Sequence, residues 1–380
     1  MAHTYGPIFK LKLGSKLHVV INTPELAKAV VRDHDEAFSN RDQSAVALAI
    51  TYDGQDIVFA NNNHNWRKLR KLFVHEVLSN KNLEASGCFR RDDVRKAIKN
   101  VFDKIGTAIN ICEIAFATET NVLPRTIWEN TSDEGMKHRN LAVEIDDVAA
   151  NIVKNFGRVN LSDFFPSLAR FDLQGVERDM KMQRDKMDKL FTSIIEDRIE
   201  SNLKRSQDEV GYEGKKDFVQ ILLDHKDEKD ETSLSMTQMK AVLLDVMIAG
   251  TETMATAVEW AMACIMRDHN VMKNVQEELV EIVGVNNIVE ESHLPKLKYL
   301  DAIIKETLRL PLAEKMLMLI LSSLLHSFDW SLPESEEHDL TEIFSIALKK
   351  RKPLIAIPSQ RYNRLLFLIM EYFLCSKRYS

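Results

Sequence analysis

The segment of residues 236–267 constrains the fold of this 380-residue chain more than any other. It contains one glycine and no proline, and Ser235 and Gln238 at its start have the spacing of a capping box, so it predicts one continuous helix. At 1.5 Å per residue this helix is about 45 Å long, which is enough to cross a whole domain. Apolar side chains lie on most of its sides, which is typical of a central helix around which other elements pack.

The rest of the chain also favours helices, because only 12 glycines and 9 prolines are available to interrupt them. A β-hairpin is predicted near the N-terminus, where two alternating runs, 8–13 and 17–21, flank a Gly-Ser pair. Thr23 then has the position of an N-cap for a helix that begins at Pro24. A further β segment is expected at 353–358, so the fold class is mainly α with a small N-terminal β part.

Charge, cysteine spacing and missing motifs exclude several function classes. The net charge of −6 is unsuited to a general grip on nucleic acid. The cysteines lie far apart with no C-x-x-C pair, so neither a disulfide framework nor a cysteine zinc site is expected; they are Cys88, Cys112, Cys264 and Cys375. The sequence has no glycine-rich phosphate loop, no H-E-x-x-H and no G-x-S-x-G. No stretch reaches the roughly 18 apolar residues needed to span a bilayer.

A short basic helix is predicted to open at Trp66, and Arg70 follows one turn later on the same face. Taken alone, this pair is best explained without a function, as a capping aromatic residue followed by a solvated arginine. A second helix, predicted over 297–310, carries Glu306 and Arg309 three residues apart. Such a pair contributes only a few tenths of a kcal/mol on a surface, so by itself it indicates no function.

The long helix contains a more informative pattern at 249–253. A glycine inside a helix costs about 1 kcal/mol relative to alanine, so Gly250 indicates the close approach of a flat or bulky group. Glu252 and Thr253 are polar groups on an apolar helix, and an acid beside a hydroxyl could relay protons. The alternative is that Gly250 forms a notch for the packing of another helix.

In this order along the chain, the three patterns resemble those of a cytochrome P-450, a haem-thiolate monooxygenase, of the plant microsomal type. The resemblance extends over residues 1–360. It includes residues 5–11, which are similar to the family's first strand, and residues 38–41, which are similar to the turn after its second helix. Within the family, the chain is similar to flavonoid and terpenoid hydroxylases of plant secondary metabolism.

The resemblance implies a role for each residue of the three patterns. These roles are contact with the haem propionates for Trp66 and Arg70, haem binding for Ala249 and Gly250, proton delivery in oxygen activation for Glu252 and Thr253, and a structural ion pair for Glu306 and Arg309. The implied cofactor is haem, and the implied partners are an NADPH-cytochrome reductase and a small hydrophobic substrate, with no nucleic acid. The implied location for the family is the endoplasmic reticulum membrane.

The chain also departs from the family pattern. The sequence after Glu306–Arg309 runs directly into residues that are similar to the helix following the iron-binding cysteine, so an internal deletion is expected at about 310/311. None of the four cysteines lies in the required loop, and no metal ligand is assigned. The family's N-terminal anchor is not found, so a cytoplasmic or peripheral location is expected, and residues 361–380 form an unmatched tail. We therefore expect an incomplete domain without turnover; the alternatives are a truncated non-catalytic fragment or a helical interaction protein.

Overall fold

The computed structural model describes residues 2–128, 135–208, 217–226, 233–308, 314–334, 339–343 and 348–362. Its α-helices are α1 (Ala2–Tyr5), α2 (Pro24–Lys28), α3 (Ala45–Ile50), α4 (His64–Leu72), α5 (Asn80–Ala85), α6 (Gly87–Phe102), α7 (Ile111–Ile127), α8 (Gly135–Phe156), α9 (Leu161–Phe164), α10 (Val176–Asp208), α11 (Phe218–Lys226), α12 (Met236–Arg267), α13 (His269–Val283), α14 (Lys298–Leu308) and α15 (Glu314–Ser327).

The described strands are short and pair in three small antiparallel sheets. They are β1 (Ile8–Leu13), β2 (Lys16–Ile21), β3 (Ile109–Asn110), β4 (Phe328–Ser331), β5 (Glu342–Ile343), β6 (Lys349–Lys350) and β7 (Ile355–Gln360). The first sheet is the hairpin β1–β2, the second has the order β3-β7-β4, and the third is β5–β6. The mainly α fold class with an N-terminal hairpin is therefore confirmed.

The long helix α12 has the bounds that the sequence predicts, and its start shows why. The Ser235 Oγ accepts a hydrogen bond from the backbone N–H of Gln238 at 3.1 Å. The Gln238 side chain in turn accepts one from the backbone N–H of Ser235 at 3.0 Å. This reciprocal capping box satisfies two N–H groups that a helix start otherwise leaves unpaired.

One expectation about α12 needs correction. The sequence suggested no bilayer-length apolar stretch, yet α12 is long and apolar enough to cross a membrane by length and composition. The expectation failed because it counted an unbroken apolar run, whereas scattered polar residues still leave a high average hydropathy. Of the most apolar 18-residue window, 61% is buried inside the protein, as in the core helix of a soluble protein, so the finding is weak evidence for a span.

The first of two compact units comprises Met1–Ser79 and Arg139–Ile248. In it α3 packs against α10, and the hairpin turn contacts the end of α9. The backbone N–H and hydroxyl of Ser15 both donate to the Phe164 carbonyl, at 2.8 and 2.9 Å. Gly14 precedes Ser15 with φ +58°, and a Cβ there would overlap the same carbonyl oxygen, so both backbone conformation and space require glycine.

The second unit comprises Asn80–His138 and Ala249–Ser380. Its hydrophobic core joins the second half of α12 to α6, α7, α13 and α15. The Arg90 side chain is 5% exposed and binds both carboxylate oxygens of Glu291, at 2.7 and 2.9 Å. Arg90 also donates to Ser86 Oγ and to the Leu83 carbonyl, so this buried cation connects α6 with two other segments through four hydrogen bonds.

Other local predictions are confirmed with small shifts. Thr23 caps α2, accepting from the Leu26 N–H at 3.4 Å. The basic helix begins at His64 rather than at Trp66, because Asn63 supplies the cap. The helices predicted at 297–310 and 311–328 appear as α14 and α15, and the last β segment is β7. The single domain with an internal deletion stays a prediction, and the 310/311 junction and the tail from residue 363 lie outside the described residues.

The capping box makes a prediction for stability. Ser235→Ala removes the acceptor for the Gln238 N–H and should lower the free energy of unfolding by about 1 kcal/mol. Urea denaturation followed by circular dichroism measures this change. The matched control is Thr237→Ala, which alters an exposed hydroxyl in the same helical turn and should change the free energy by less than about 0.5 kcal/mol. Equal losses in both variants would contradict the role of the capping box.

Candidate functional site

Helix α4 carries the first pair of predicted site residues. Asn63 caps the helix by accepting a hydrogen bond from the Trp66 backbone N–H at 2.8 Å. The half-buried Trp66 indole then donates its N–H to the Ile57 carbonyl at 2.9 Å, while Arg70 is exposed one turn further along. In this structure the indole N–H is therefore used to fix the entry of the chain into α4.

Gly250 in α12 lies against Leu123 of α7. A Cβ placed on Gly250 would lie 2.8 Å from Leu123 Cδ1 and 3.3 Å from Cδ2, which is closer than normal carbon contacts. The glycine therefore leaves room for a leucine side chain from the neighbouring helix. Of the two interpretations that the sequence left open, this contact favours the helix-packing notch.

Glu252 and Thr253 have partners within the second unit. The Thr253 hydroxyl is exposed and donates to the carbonyl of Ala249, one turn back along α12. Glu252 is half-buried and forms an ion pair with Lys349 of β6, whose pKa is lowered by burial. A carboxylate held by an ammonium group is stabilised in its ionised form. The roles in haem binding and proton delivery that the resemblance implies stay predictions.

The remaining predicted pair is only partly described. Glu306 lies on the exposed side of α14, whereas Arg309 lies outside the described residues, as does Cys375. The structural ion pair therefore stays a prediction. Within the described ranges, no group of three or more histidine, cysteine or acidic side chains is arranged to hold a metal ion.

The three described cysteines all lie on helices and are half-buried: Cys88 on α6, Cys112 on α7 and Cys264 on α12. Burial and the neighbouring Glu259 carboxyl raise the pKa of the Cys112 thiol to about 12. Glu259 is itself buried and accepts the Leu354 N–H at 2.7 Å, and burial raises its pKa. In the metal-free protein Cys112 is therefore held as a protonated thiol on a helix.

Sequence reasoning missed Lys349 and Glu119. Lys349 is in a run of four basic residues, a pattern that usually marks a solvated surface, so its half-buried ion pair gave no signal. Glu119 could have been found, because it is an acid on the otherwise apolar face of α7. It is 2% exposed, its Oε1 has no hydrogen-bond partner, and burial raises its pKa to about 8, with Arg90 acting in the opposite direction.

The ion pair between Glu252 and Lys349 yields a stability prediction. Lys349→Gln leaves a half-buried carboxylate without its cation and should lower the free energy of unfolding by about 1–2 kcal/mol, between the values for exposed and buried pairs. A double-mutant cycle with Glu252→Gln, followed by urea denaturation, isolates the pairwise energy. The control is Lys181→Gln, which breaks the more exposed Lys181–Glu177 pair and should cost less than about 0.5 kcal/mol. A zero coupling energy would contradict the pairing.

Glu119 yields a prediction for pH dependence. Its pKa is about 8 in the folded protein and near 4.5 otherwise, so between these values the folded state holds a proton that the unfolded state has lost. The free energy of unfolding should therefore fall as pH rises through this window, by at most about 1.4 kcal/mol per pH unit, and level off above it. Glu119→Gln should flatten this slope, whereas Glu113→Gln, which alters an exposed acid on the same helix, should leave it unchanged. Urea denaturation of the three proteins at a series of pH values measures these slopes.

Known proteins share both the fold and the local sequence patterns of this chain. The solved structure of a zebra fish cytochrome P450 with abiraterone superimposes with a TM-score of 0.74, covering 95% of this chain and 98% of that one at 17% identity, which shows a common fold. Cytochrome P450 76C1 of Arabidopsis thaliana is 28% identical over 449 residues, covering 95% of this chain and 86% of its own length.

Sequence similarity to other plant proteins is higher over a shorter region. Flavonoid 3',5'-hydroxylase 2 of Petunia hybrida is 34% identical over 312 residues, which cover 81% of this chain and 59% of that protein. The chain thus spans about three-fifths of the length of several curated relatives that it matches. The Cytochrome P450 family model matches residues 1–311, which include α4, α12 and α14 with their motifs. On this match and on the shared fold, the chain belongs to the cytochrome P450 family, and its relatives are plant members.

Proposed function

We propose that the ancestral function of this chain is haem-dependent monooxygenation of small hydrophobic plant metabolites, and that the chain as it stands has lost the thiolate ligand for the iron. The general hydroxylase role follows from the family. The loss of the ligand rests on one observation, which is the junction at 310/311 between two segments that are separated in the family pattern.

Two comparisons support an internal deletion at this junction. The family model stops matching at residue 311, immediately after the predicted junction. The alignment with the Arabidopsis thaliana relative runs over 449 positions, whereas 95% of the 380 residues is about 361, so about 88 aligned positions have no residue of this chain. These positions are a total over the whole alignment; placed together at the junction, they would be enough for a helix, several strands and a ligand-bearing loop.

The described residues do not fit a thiolate-bound haem. When bound in this family, haem supplies the oxidising chemistry, and the axial thiolate favours cleavage of the O–O bond. Here the three described cysteines all lie on helices rather than on a loop, and Leu123 occupies the space against Gly250. Cys264 lies on α12, eleven residues beyond Thr253 and about 16 Å further along the helix axis. The resemblance implies that α12 covers one side of the haem and that the thiolate binds from the other side. Cys264 is therefore on the wrong element to be the ligand.

The residues that this chain does retain are suited to positioning rather than to turnover. Lys349 fixes the Glu252 carboxylate, and the Thr253 hydroxyl is bonded to the Ala249 carbonyl. We infer that Glu252 and Thr253 keep the arrangement of a proton-delivery pair, whereas in the pair Trp66 and Arg70 only the exposed arginine is placed for an anion, because the indole N–H bonds the Ile57 carbonyl. Neither pair can support catalysis without the missing ligand.

The substrate class and partners are part of the same proposal. The relatives include a flavonoid 3',5'-hydroxylase and a 3,9-dihydroxypterocarpan monooxygenase, and these names favour a phenolic substrate for the ancestral enzyme. A terpenoid substrate is the alternative that the resemblance implies. An NADPH-dependent reductase would supply its electrons, as in the family generally. Attachment to the endoplasmic reticulum membrane is proposed for the ancestral enzyme, and the cytoplasmic or peripheral location of this chain stays a prediction.

A second candidate function is that of a helical interaction protein. The deletion would remove core strands of the family pattern, and apolar side chains that they covered would then be available to a partner. On the described part of α14, however, Leu300 and Ile304 are buried in the core of the second unit. Analytical ultracentrifugation of the purified chain distinguishes this function from that of an inert fragment, because an interaction protein forms a defined complex or oligomer.

The proposal predicts the spectrum of the purified chain. After incubation with haem and reduction under carbon monoxide, it should not show the long-wavelength Soret band that marks a thiolate-ligated ferrous complex. A clear band of this kind would contradict the proposal. In that case single Cys→Ala substitutions at positions 88, 112, 264 and 375 would identify the ligand.

The matched comparison is a longer chain that carries the missing residues between Leu310 and Pro311. Full-length transcripts that cover this junction supply the sequence of that segment. The restored chain should show the thiolate band and bind haem stoichiometrically. If neither form shows the band, the proposed haem-dependent function is wrong, and the deletion is not the reason for its absence.

A further inference from the structure

The segment of residues 51–60, which leads into α4 in the first unit, has an unusual backbone. Tyr52, Asp53 and Gly54 have consecutive positive φ angles of 52°, 60° and 75°. Non-glycine residues adopt this conformation at a cost of about 1–2 kcal/mol each, so surrounding contacts must hold the segment in place. One of these contacts is the Tyr52 hydroxyl, which donates to Asp188 Oδ1 at 3.0 Å.

A second contact joins two acids. Asp56 is fully buried, and its Oδ2 accepts the Phe59 N–H at 2.7 Å. Asp245 of α12 accepts the Ile57 N–H through its Oδ2, also at 2.7 Å. The N–H groups that the two carboxyl groups accept are only two residues apart, which brings the acids close together, and the buried Asp56 Oδ1 has no hydrogen-bond partner. The acids therefore face each other while each also holds backbone of the same segment.

Two ionised carboxylates can only accept hydrogen bonds, so a bond between them requires one proton. Burial raises the pKa of Asp245 well above its ordinary range, and the charge of Asp56 adds to this effect. Burial raises the pKa of Asp56 as well. Two like charges in a desolvated site are expected to share a proton in this way.

The charged groups of the neighbouring elements are engaged elsewhere. Within the described residues, Lys240 of α12 and the Tyr52 hydroxyl both donate hydrogen bonds to Asp188. Arg184 of α10 donates to Asp185 and to the Ala49 carbonyl. Arg41 donates to the Ser39 and Val58 carbonyls, and Lys68 of α4 donates to the Ser233 carbonyl. None of these cationic side chains forms a hydrogen bond with Asp56 or Asp245. The proton, rather than a lysine or arginine, is thus what offsets the charge of the pair.

We propose that Asp56 and Asp245 form a proton-dependent latch that fastens residues 55–60 to α12. Loss of the shared proton places two negative charges together in a site that water reaches poorly. The segment then separates from α12, and the Ile57 N–H group loses its acceptor on Asp245, whereas the Phe59 N–H keeps its acceptor within the segment. Because the Trp66 indole is bonded to the Ile57 carbonyl, opening of the latch also frees the start of α4.

The direction of the pH effect follows from the shared proton. The latched state binds one more proton than the open state, so opening becomes more favourable as pH rises, by at most tenfold per pH unit. Latching is complete in mild acid and is lost in alkaline solution. This behaviour does not depend on haem or on the proposed monooxygenase function.

Hydrogen–deuterium exchange of the full chain tests the latch. Protection of amides 57–60, corrected for the intrinsic effect of pH on exchange, should fall about tenfold or more between about pH 6 and about pH 9. In Asp245→Asn the amide can donate to Asp56 and still accept the Ile57 N–H, so no proton is needed and the same ratio should stay below about threefold. Asp185→Asn, an exposed acid on α10, should behave as the wild type.

Two results would overturn the latch. One is a wild-type protection that does not change over this pH range. The other is an Asp245→Asn variant that loses protection as steeply as the wild type. If Asp245→Asn does not fold, Asp56→Asn replaces the other acid and is measured in the same way, and the wild-type profile remains decisive by itself.

Discussion

The burial of α12 is the constraint on which the other interactions depend. A helix of this length that is apolar on most sides must be covered along its whole course, and each acid that it carries must then find a partner. Asp245 meets Asp56, Glu252 meets Lys349, and Glu259 accepts the Leu354 N–H. The acids of this apolar helix are thus stabilised in three different ways: by a shared proton, by a cation and by a backbone N–H donor.

Local features of this helix could be predicted from sequence, because their causes lie within a few residues. The capping box at Ser235 and the scarcity of glycine and proline determine the bounds of α12, and the same kind of reasoning predicts the N-terminal hairpin. Partners distant in the chain could not be predicted in this way. Leu123 is 127 positions from Gly250 and Lys349 is 97 positions from Glu252, so only the folded chain brings them together.

The family could be identified although its metal ligand could not be found, because the two depend on different parts of the chain. The motifs on α4, α12 and α14 precede residue 311, where the family match ends. The helices on either side of the junction, α14 and α15, still pack together in the second unit. A helical core built from such contacts does not itself depend on a metal ligand, so similarity of fold alone is a poor guide to activity.

The contact between Leu123 and Gly250 has a consequence for any ligand of this region. A flat molecule that approached the glycine would compete with the leucine side chain for the same space, so only molecules in which Leu123 has turned away could accept it. The apparent affinity would equal the intrinsic affinity multiplied by the fraction of molecules in that rotamer. A smaller residue at position 123 would remove this self-occlusion, while the loss of its packing would weaken the contact between α7 and α12.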